Sequence, residues 1–496
     1  MDADDHPGAA LPERGMRVRI QPLAFVLIAG PALLWNALLV PPGEVPDEIA
    51  HIVRADGLLH GSLVGKRRRV PEFPVPVSGV TADRQLVAAW SGPAGPVEGR
   101  KLTAERLRIY RLTPWGTPGF VMSANTAVYA PLAYLPAAAA LGIARQAGLG
   151  PYDAILAARL ANAAVYLALG LAALLVARRG RTVLALALLL PMALSLGGSC
   201  SQDGILLGVT ALCAACLTRP SSPRAFWAAA GLMAVLVLAK PPYLPLAGLV
   251  ALYAGSWRRG VGAIALAALP SLAWAMYAQA KAGVALRHLG AAVRPGPLWE
   301  GAPETTFQAT DPAAQLGVVL HAPWAVATHL GPAAWAEAGR LVVQMTGLLG
   351  RADLLLPAWF SALALAGLAA ALALDLAAPE LASPPGAAGM PARTRRRPWR
   401  AVAGAACCAA AVGAIYAVQY LTWTPVGAAA VDGVQGRYLL PVLLMAPALL
   451  PEAGQMAGPA WVRGALHRAL PGFATAAALA GAALVPYVTV ATYYLR

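Results

Sequence analysis

The stretch PLAFVLIAGPALLWNALLV (Pro22–Val40), followed at once by PPGEVPDEIAHIVRADGLLHG (Pro41–Gly61), decides the fold. The first part is an unbroken apolar run long enough to cross a hydrocarbon core of about 30 Å. The second turns abruptly polar through a proline pair and opens an acidic helix start. Arg14, Arg17 and Arg19 precede the run, as they would precede a secretory signal. The run nevertheless lacks a small-x-small cleavage site and is long enough to span, so it reads as an uncleaved anchor with its basic end in the cytoplasm.

The rest of the chain supports that reading. Of 496 residues, 58% are hydrophobic and only 12% charged, whereas a soluble domain carries roughly a quarter charged residues. The net charge of +15 would suggest a nucleic-acid partner in a soluble protein. Here the arginines cluster in short gaps between apolar runs, as the positive-inside rule expects, so nucleic acid is excluded as a partner. The five cysteines lie in or beside apolar runs, and the Cys213/Cys216 pair sits within one, where packing accounts for it better than metal or redox chemistry.

Loop charges set the expected topology. The run from Thr126 to Ala144 is apolar but interrupted by Pro131 and Pro136; counting it as a crossing would put Arg178, Arg179 and Arg181 outside. It therefore reads as a helix lying in the outer interface. The expected fold is all-α, a polytopic transmembrane bundle of about eleven spans. These fall near 22–40, 155–177, 182–199, 203–218, 225–239, 241–255, 261–280, 355–377, 401–421, 437–451 and 471–493. Residues 1–21 form a cytoplasmic N-terminus, and 22–377 the main module, with outer loops 41–153 and 281–354. A basic cytoplasmic linker, 378–400, precedes the C-terminal helices, 401–496. Lys66 to Arg69 breaks the charge pattern, which a long translocated loop tolerates. Within Ala225 to Gly255, Lys240-Pro241-Pro242 reads as a break between two helices.

Chemistry-bearing residues gather on the outer side of this topology. Pro46 suits a first helical turn with Asp47 and Glu48 at the positive end of the dipole. Helical spacing then places Asp47, His51 and Arg54 on one face. An acidic helix start at a membrane surface is one account; a carboxylate held as a general base, with His51 orienting it or a metal, is the other. Asp203 follows Ser199-Cys200-Ser201-Gln202 at the mouth of a helix pair, as a helix cap or a ligand. Lys240 either snorkels or faces an anion. In Gln435-Gly436-Arg437-Tyr438, the guanidinium can grip a phosphate and Tyr438 can stack on a sugar. Tyr129 and Tyr134 flank the first proline of the interfacial run. His288, His321 and His329 are scattered, with no zinc-like spacing.

PPGEVPDEIAHIVRADGLLHG, ANTAVYAPLAYLPAAAALGIARQAGL and AARLANAAVYLALGLAALLVARR are followed by LPMALSLGGSCSQDGI, LVLAKPPYLPL, QMTGLLGRADLLLP and VQGRYLLP. In this order, they resemble a family of bacterial polytopic membrane proteins known as a domain of unknown function and related to the GT-C glycosyltransferases. The resemblance implies a GT-C-type bundle whose large first outer loop carries interfacial helices. It also implies an acidic catalytic base at the start of that loop, filled here by Asp47 or Glu48, and a polyprenyl-phosphate-linked sugar as donor. The expected activity is sugar transfer to an envelope glycan, lipid or protein acceptor outside the bacterial inner membrane, with membrane lipids as surroundings. Asp47, Glu48 and His51 form the expected catalytic set. Glu44, Arg54, Tyr129, Asp203, Lys240, Gln435, Arg437 and Tyr438 form the expected substrate-binding set. No metal ligand is assigned, and a divalent cation stays open. Three alternatives stand beside this activity: a flippase or transporter of lipid-linked saccharides, a polymerase or ligase of whole lipid-linked chains, and a non-catalytic assembly subunit.

Overall fold

The computed structural model describes residues 13–69, 76–86, 101–219, 222–284, 310–351, 353–377, 398–450 and 460–495. His288 and nearly all of the basic linker lie outside these residues, as do parts of both long loops.

The described chain is mostly helical, and six helices are long and apolar enough to cross a membrane: Gln21–Leu39, Pro151–Val176, Trp257–Ala282, Ala358–Leu376, Trp399–Thr422 and Pro471–Tyr493. A seventh crossing comes from Pro191–Gly197 and Gln202–Leu217 if that pair, bent by 114°, is one span. By length and composition these helices account for six or seven of the about eleven crossings expected, and two of the remaining segments are broken by proline. Where 182–199 was read as one helix, Pro191 restarts the chain after Leu190, giving Arg181–Leu188 and Pro191–Gly197. Where 437–451 was read as another, Pro441 and Pro447 divide it into the 3-10 turn Gly436–Leu439 and the short helices Leu440–Leu444 and Ala446–Leu449. The break at Lys240 is present: Pro223–Ala239 ends there, and a 3-10 segment, Pro241–Leu246, begins.

The long helices leave apolar side chains outward. Leu23, Leu27, Leu34 and Leu38 are exposed on the first, and Val261, Leu269, Leu272 and Met276 on the helix Trp257–Ala282. Such belts are costly in water and are what acyl chains cover. The protein is a membrane protein with several apolar spans.

Side chains tie the helix ends together at two opposite ends of the bundle. At one, Gln21 donates to Thr182, and Asp375 accepts from the Thr182 and Val183 amides, capping the helix that begins at Arg181. There Arg179 also reaches the Pro447 carbonyl, and Arg219 the Val176 carbonyl. At the other end, Tyr494 donates to the Leu39 carbonyl, while Lys101 caps the C-terminal helix through the Ala491 and Thr492 carbonyls. The first long loop lies at this second end.

That loop is not purely helical. It contains the antiparallel sheet β1 (Lys66–Arg68), β2 (Val77–Asp83) and β3 (Pro118–Met122), so the all-α expectation needs this correction. The basic run takes the edge position as β1 and turns its residues outward, suited to an edge that must not pair further. The run from Thr126 to Ala144 gives a 3-10 turn, Leu132–Tyr134, and the helix Leu135–Gln146, whose 12 residues cannot span. It packs on the helix Glu48–Leu59 through Ile52, Ala55, Tyr134 and Leu141.

Candidate functional site

The site grows from how Pro41 to Glu48 is held. The helix begins at Glu48, two residues after Pro46, with Asp47 as its N-cap in the left-handed region at φ 61°. Asp47 is the only non-glycine residue with positive φ among the described residues, a conformation costing an L-residue on the order of 1 kcal/mol. Its side chain makes no capping bond to the helix it precedes.

What enforces this geometry is Glu48, wholly buried and bound by Arg159 in a fork: Nε to Oε1 at 2.7 Å and Nη2 to Oε2 at 2.6 Å. The carboxylate also accepts the Cys200 amide at 3.0 Å and the Gly43 amide at 2.9 Å. Arg159 spends its remaining donors on the carbonyls of Ala37, Val40 and Pro41, at and just beyond the end of the first span. One ion pair thus joins the first span, the helix at Glu48, the span Pro151–Val176 and the turn before Asp203. Burial opposes ionisation of Glu48, and the Arg159 guanidinium overrides it, holding the carboxyl below its ordinary range. With both oxygens engaged, Glu48 is an anchor rather than the second candidate base.

Asp47 turns to the far part of the chain. Its Oδ2 accepts from Arg437 Nη2 at 2.5 Å and its Oδ1 from Asn125 at 3.3 Å, while Arg437 Nη1 donates to the Pro46 carbonyl at 3.1 Å. Arg437 is 4% exposed, whereas 41% of the Asp47 side chain is open. Burial pushes the Asp47 carboxyl up, but Arg437 and then His51 outweigh it, and the group is held below its usual value.

Asp203 completes the set. Ser201 caps its helix by accepting the Asp203 amide, so the Asp203 carboxylate is not needed as a cap. Instead Oδ1 pairs with Lys240 Nζ at 2.6 Å, and Oδ2 lies 3.8 Å from Arg437 Nε. Lys240 does not snorkel away: it sits 4.7 Å above the Tyr438 ring, and the Arg437 guanidinium lies 5.3 Å from the same ring. Two carboxylates and two cations therefore form one compact network, largely buried except at Asp47, with an aromatic ring beside it.

The other expected residues divide around it. His51 and Tyr134 share a hydrogen bond of 2.7 Å, and the His51 ring stacks toward Tyr129. Burial pushes His51 down to about 4, despite Asp203 and Asp47, so it is neutral near pH 7. Arg54 was expected on one face with Asp47 and His51, but it is directed at backbone carbonyls: those of Ser62, Leu63 and Tyr129. It pins the loop rather than the site. Glu44 is buried elsewhere, with the Tyr493 hydroxyl at 3.4 Å and Arg351 at 3.7 Å; burial raises it to about 7. Gln435 contributes its backbone carbonyl to the Tyr438 amide. His321 and His329 are exposed, away from the network.

Arg159 was missed by sequence reading, because a lone arginine in an apolar span gives no hint of its partner; its intramembrane position was the only available signal. Gln344 was missed as well: its side-chain oxygen accepts the Gly436 amide at 2.8 Å and seats the 3-10 turn that carries Arg437.

Arginine and lysine can hold an anion, and an exposed carboxylate beside them can take up a proton next to it. For a divalent cation the fit is poor: Asp47 and Asp203 already have cationic partners, and among the described residues no three or more His, Cys, Asp or Glu gather to hold a metal. No curated protein and no solved structure matches this chain. The family model described as "Predicted membrane protein (DUF2142)" matches residues 32–446, from within the first span through Asp47, Asp203, Lys240 and Arg437, and the chain belongs to that family.

Proposed function

We propose that this protein is a GT-C-type glycosyltransferase that takes a sugar from a polyprenyl-phosphate donor and moves it to an envelope acceptor. The site would lie on the extracytoplasmic side of a bacterial inner membrane. The observation that carries the reading is the network itself. A half-open carboxylate, Asp47, is fixed in a strained backbone conformation beside the buried Arg437, which with the half-buried Lys240 flanks Asp203, at the end of an apolar bundle. Strained residues held by their surroundings are a reason to ask what they do.

In this reading Arg437 and Lys240 receive the donor phosphate, and Tyr438 lies against the sugar. As phosphate takes over Arg437, Asp47 loses its partner, becomes a stronger base and accepts the proton of the acceptor hydroxyl. The acceptor oxygen forms its bond to the anomeric carbon as the carbon–phosphate oxygen bond breaks, with inversion. The departing phosphate keeps the electron pair, stabilised by the two cations rather than by a proton. His51, neutral and bonded to Tyr134, positions rather than transfers.

The same proposal takes the shorter segments as crossings too, giving about eleven passes. In support, Thr182 lies at one end of the bundle and Cys200 at the other, as do Lys240 and Tyr253, and Arg437 and Ala448. A saccharide flippase or polymerase would use the same network for binding; what favours transfer over flipping is the exposed carboxylate beside the cations. The test is Asp47→Asn, read as sugar release from the native carrier in isolated membranes and as envelope glycan composition in cells. Loss of both supports transfer; unchanged glycan rules it out.

A further inference from the structure

From Pro312 to Ala336 the chain contains no Asp, Glu, Lys or Arg, and the charged residues resume at Asp311 on one side and Glu337 on the other. This apolar stretch folds as two helices, Pro312–His321 and Pro323–Ala336, broken at Ala322 before Pro323. Their lengths of 10 and 14 residues correspond to about 15 and 21 Å, too short to cross a core of about 30 Å. Both ends of the pair stay at the site end of the bundle. Gln315 accepts the Gly427 amide at 2.8 Å, and Gln344, on the next helix, accepts the Gly436 amide.

The outward side is strongly apolar. Trp324 is 83% exposed and Trp335 82%, with Leu320 at 70% and Leu316 at 44%. On the inward side, Val326 and Leu330 pack on Tyr420, near the end of the span Trp399–Thr422, whose own outer face shows Val402 and Val418. The exposed face of the broken pair therefore continues the belt that acyl chains cover on that span.

We infer that Pro312–Ala336 is a membrane-lying helical elbow. It is seated in the interfacial layer of the leaflet at the site end, with Leu316, Leu320, Trp324 and Trp335 in contact with phospholipid. Tryptophan suits that layer because its ring is apolar and its N–H finds a polar partner there. Through Gln315 and the Val326–Tyr420 contact, the elbow holds the segment 423–437, so the leaflet braces the loop that leads into Arg437. This inference does not rest on glycosyl transfer, and its test reads no activity.

A chain with its native cysteines replaced by Ala, carrying a nitroxide at Trp324→Cys or Trp335→Cys, is reconstituted in phosphatidylcholine vesicles. Collisions with oxygen, which concentrates in acyl chains, are compared with collisions with a water-soluble nickel chelate. The elbow predicts an oxygen-to-nickel ratio several-fold higher at both positions than at a label on Asp432, an exposed loop residue. A ratio equal to that of Asp432 overturns it, as does shielding from both reagents in a dimer, which would mean a second copy covers the face. If the cysteine variants fail to fold, the Trp324→Phe/Trp335→Phe chain is reconstituted with brominated phosphatidylcholine. Its fluorescence should lose less to bromine quenching than that of the parent; equal quenching contradicts the inference.

Discussion

Asp47 and Glu48 are neighbours in the chain and face opposite ways: Glu48 into a buried fork with Arg159, Asp47 out to Arg437, 390 residues further along. The left-handed turn at Asp47 produces this divergence. It lets one carboxylate hold the architecture while the other stays available.

Stability and activity should therefore separate between the two. Glu48→Gln leaves the buried Arg159 charge without its counterion, and removing one partner of a buried pair costs about 3–5 kcal/mol. Thermal unfolding in detergent should show Glu48→Gln strongly destabilised and Asp47→Asn changed by less than about 1 kcal/mol, since Asp47 is part-exposed. Equal losses in the two variants would contradict the division of roles.

Much of this was legible beforehand, and the reason is physical. Apolar runs and arginine placement report which segments lie in lipid, and the sequence reading brought Asp47, Asp203, Lys240 and Arg437 to one outer side from charge parity. The structure brings these four residues into contact. What could not be read is pairing at a distance. Nothing near Glu48 announces Arg159, and nothing near Gly436 announces Gln344. Proline-broken segments at Pro191 and Pro441 also look apolar enough for uniform spans, because hydropathy does not register helix breaks. The edge strand at Lys66–Arg68 was hidden because its partner, β2, lies beyond an intervening segment.

Glu44 and His51 give opposite pH dependences. Glu44, raised from 4.5 to about 7, holds a proton in the folded state that the unfolded chain has lost, so its contribution falls as pH rises between those values. The full span corresponds to about 3 kcal/mol as an upper bound. His51, lowered from 6.5 to about 4, is neutral when folded and protonated when unfolded in that interval, so its contribution grows as pH rises through it. Melting temperatures from pH 4.5 to 8 should rise more steeply with pH in Glu44→Gln than in the parent. An identical slope would remove Glu44 from the account.

Gly436 is required by contact, not by φ. A methyl group there would run into the Leu341 carbonyl and the Met345 amide, backbone atoms that cannot step aside. Gly436→Ala should cost about 1–3 kcal/mol in stability and displace Arg437, weakening anion binding. Unchanged unfolding together with unchanged binding would show that the turn is seated differently.

In the proposed reaction Arg437 grips the donor phosphate while Asp47 acts as base. The most direct measurement is donor binding and sugar transfer in the same proteoliposomes, using polyprenyl-phosphate sugar with Asp47→Asn and Arg437→Gln. Asp47→Asn should bind the donor at least as tightly as the parent, because a competitor for Arg437 is gone, and should transfer no sugar; Arg437→Gln should lose binding. Transfer at the parental rate by Asp47→Asn would contradict the account.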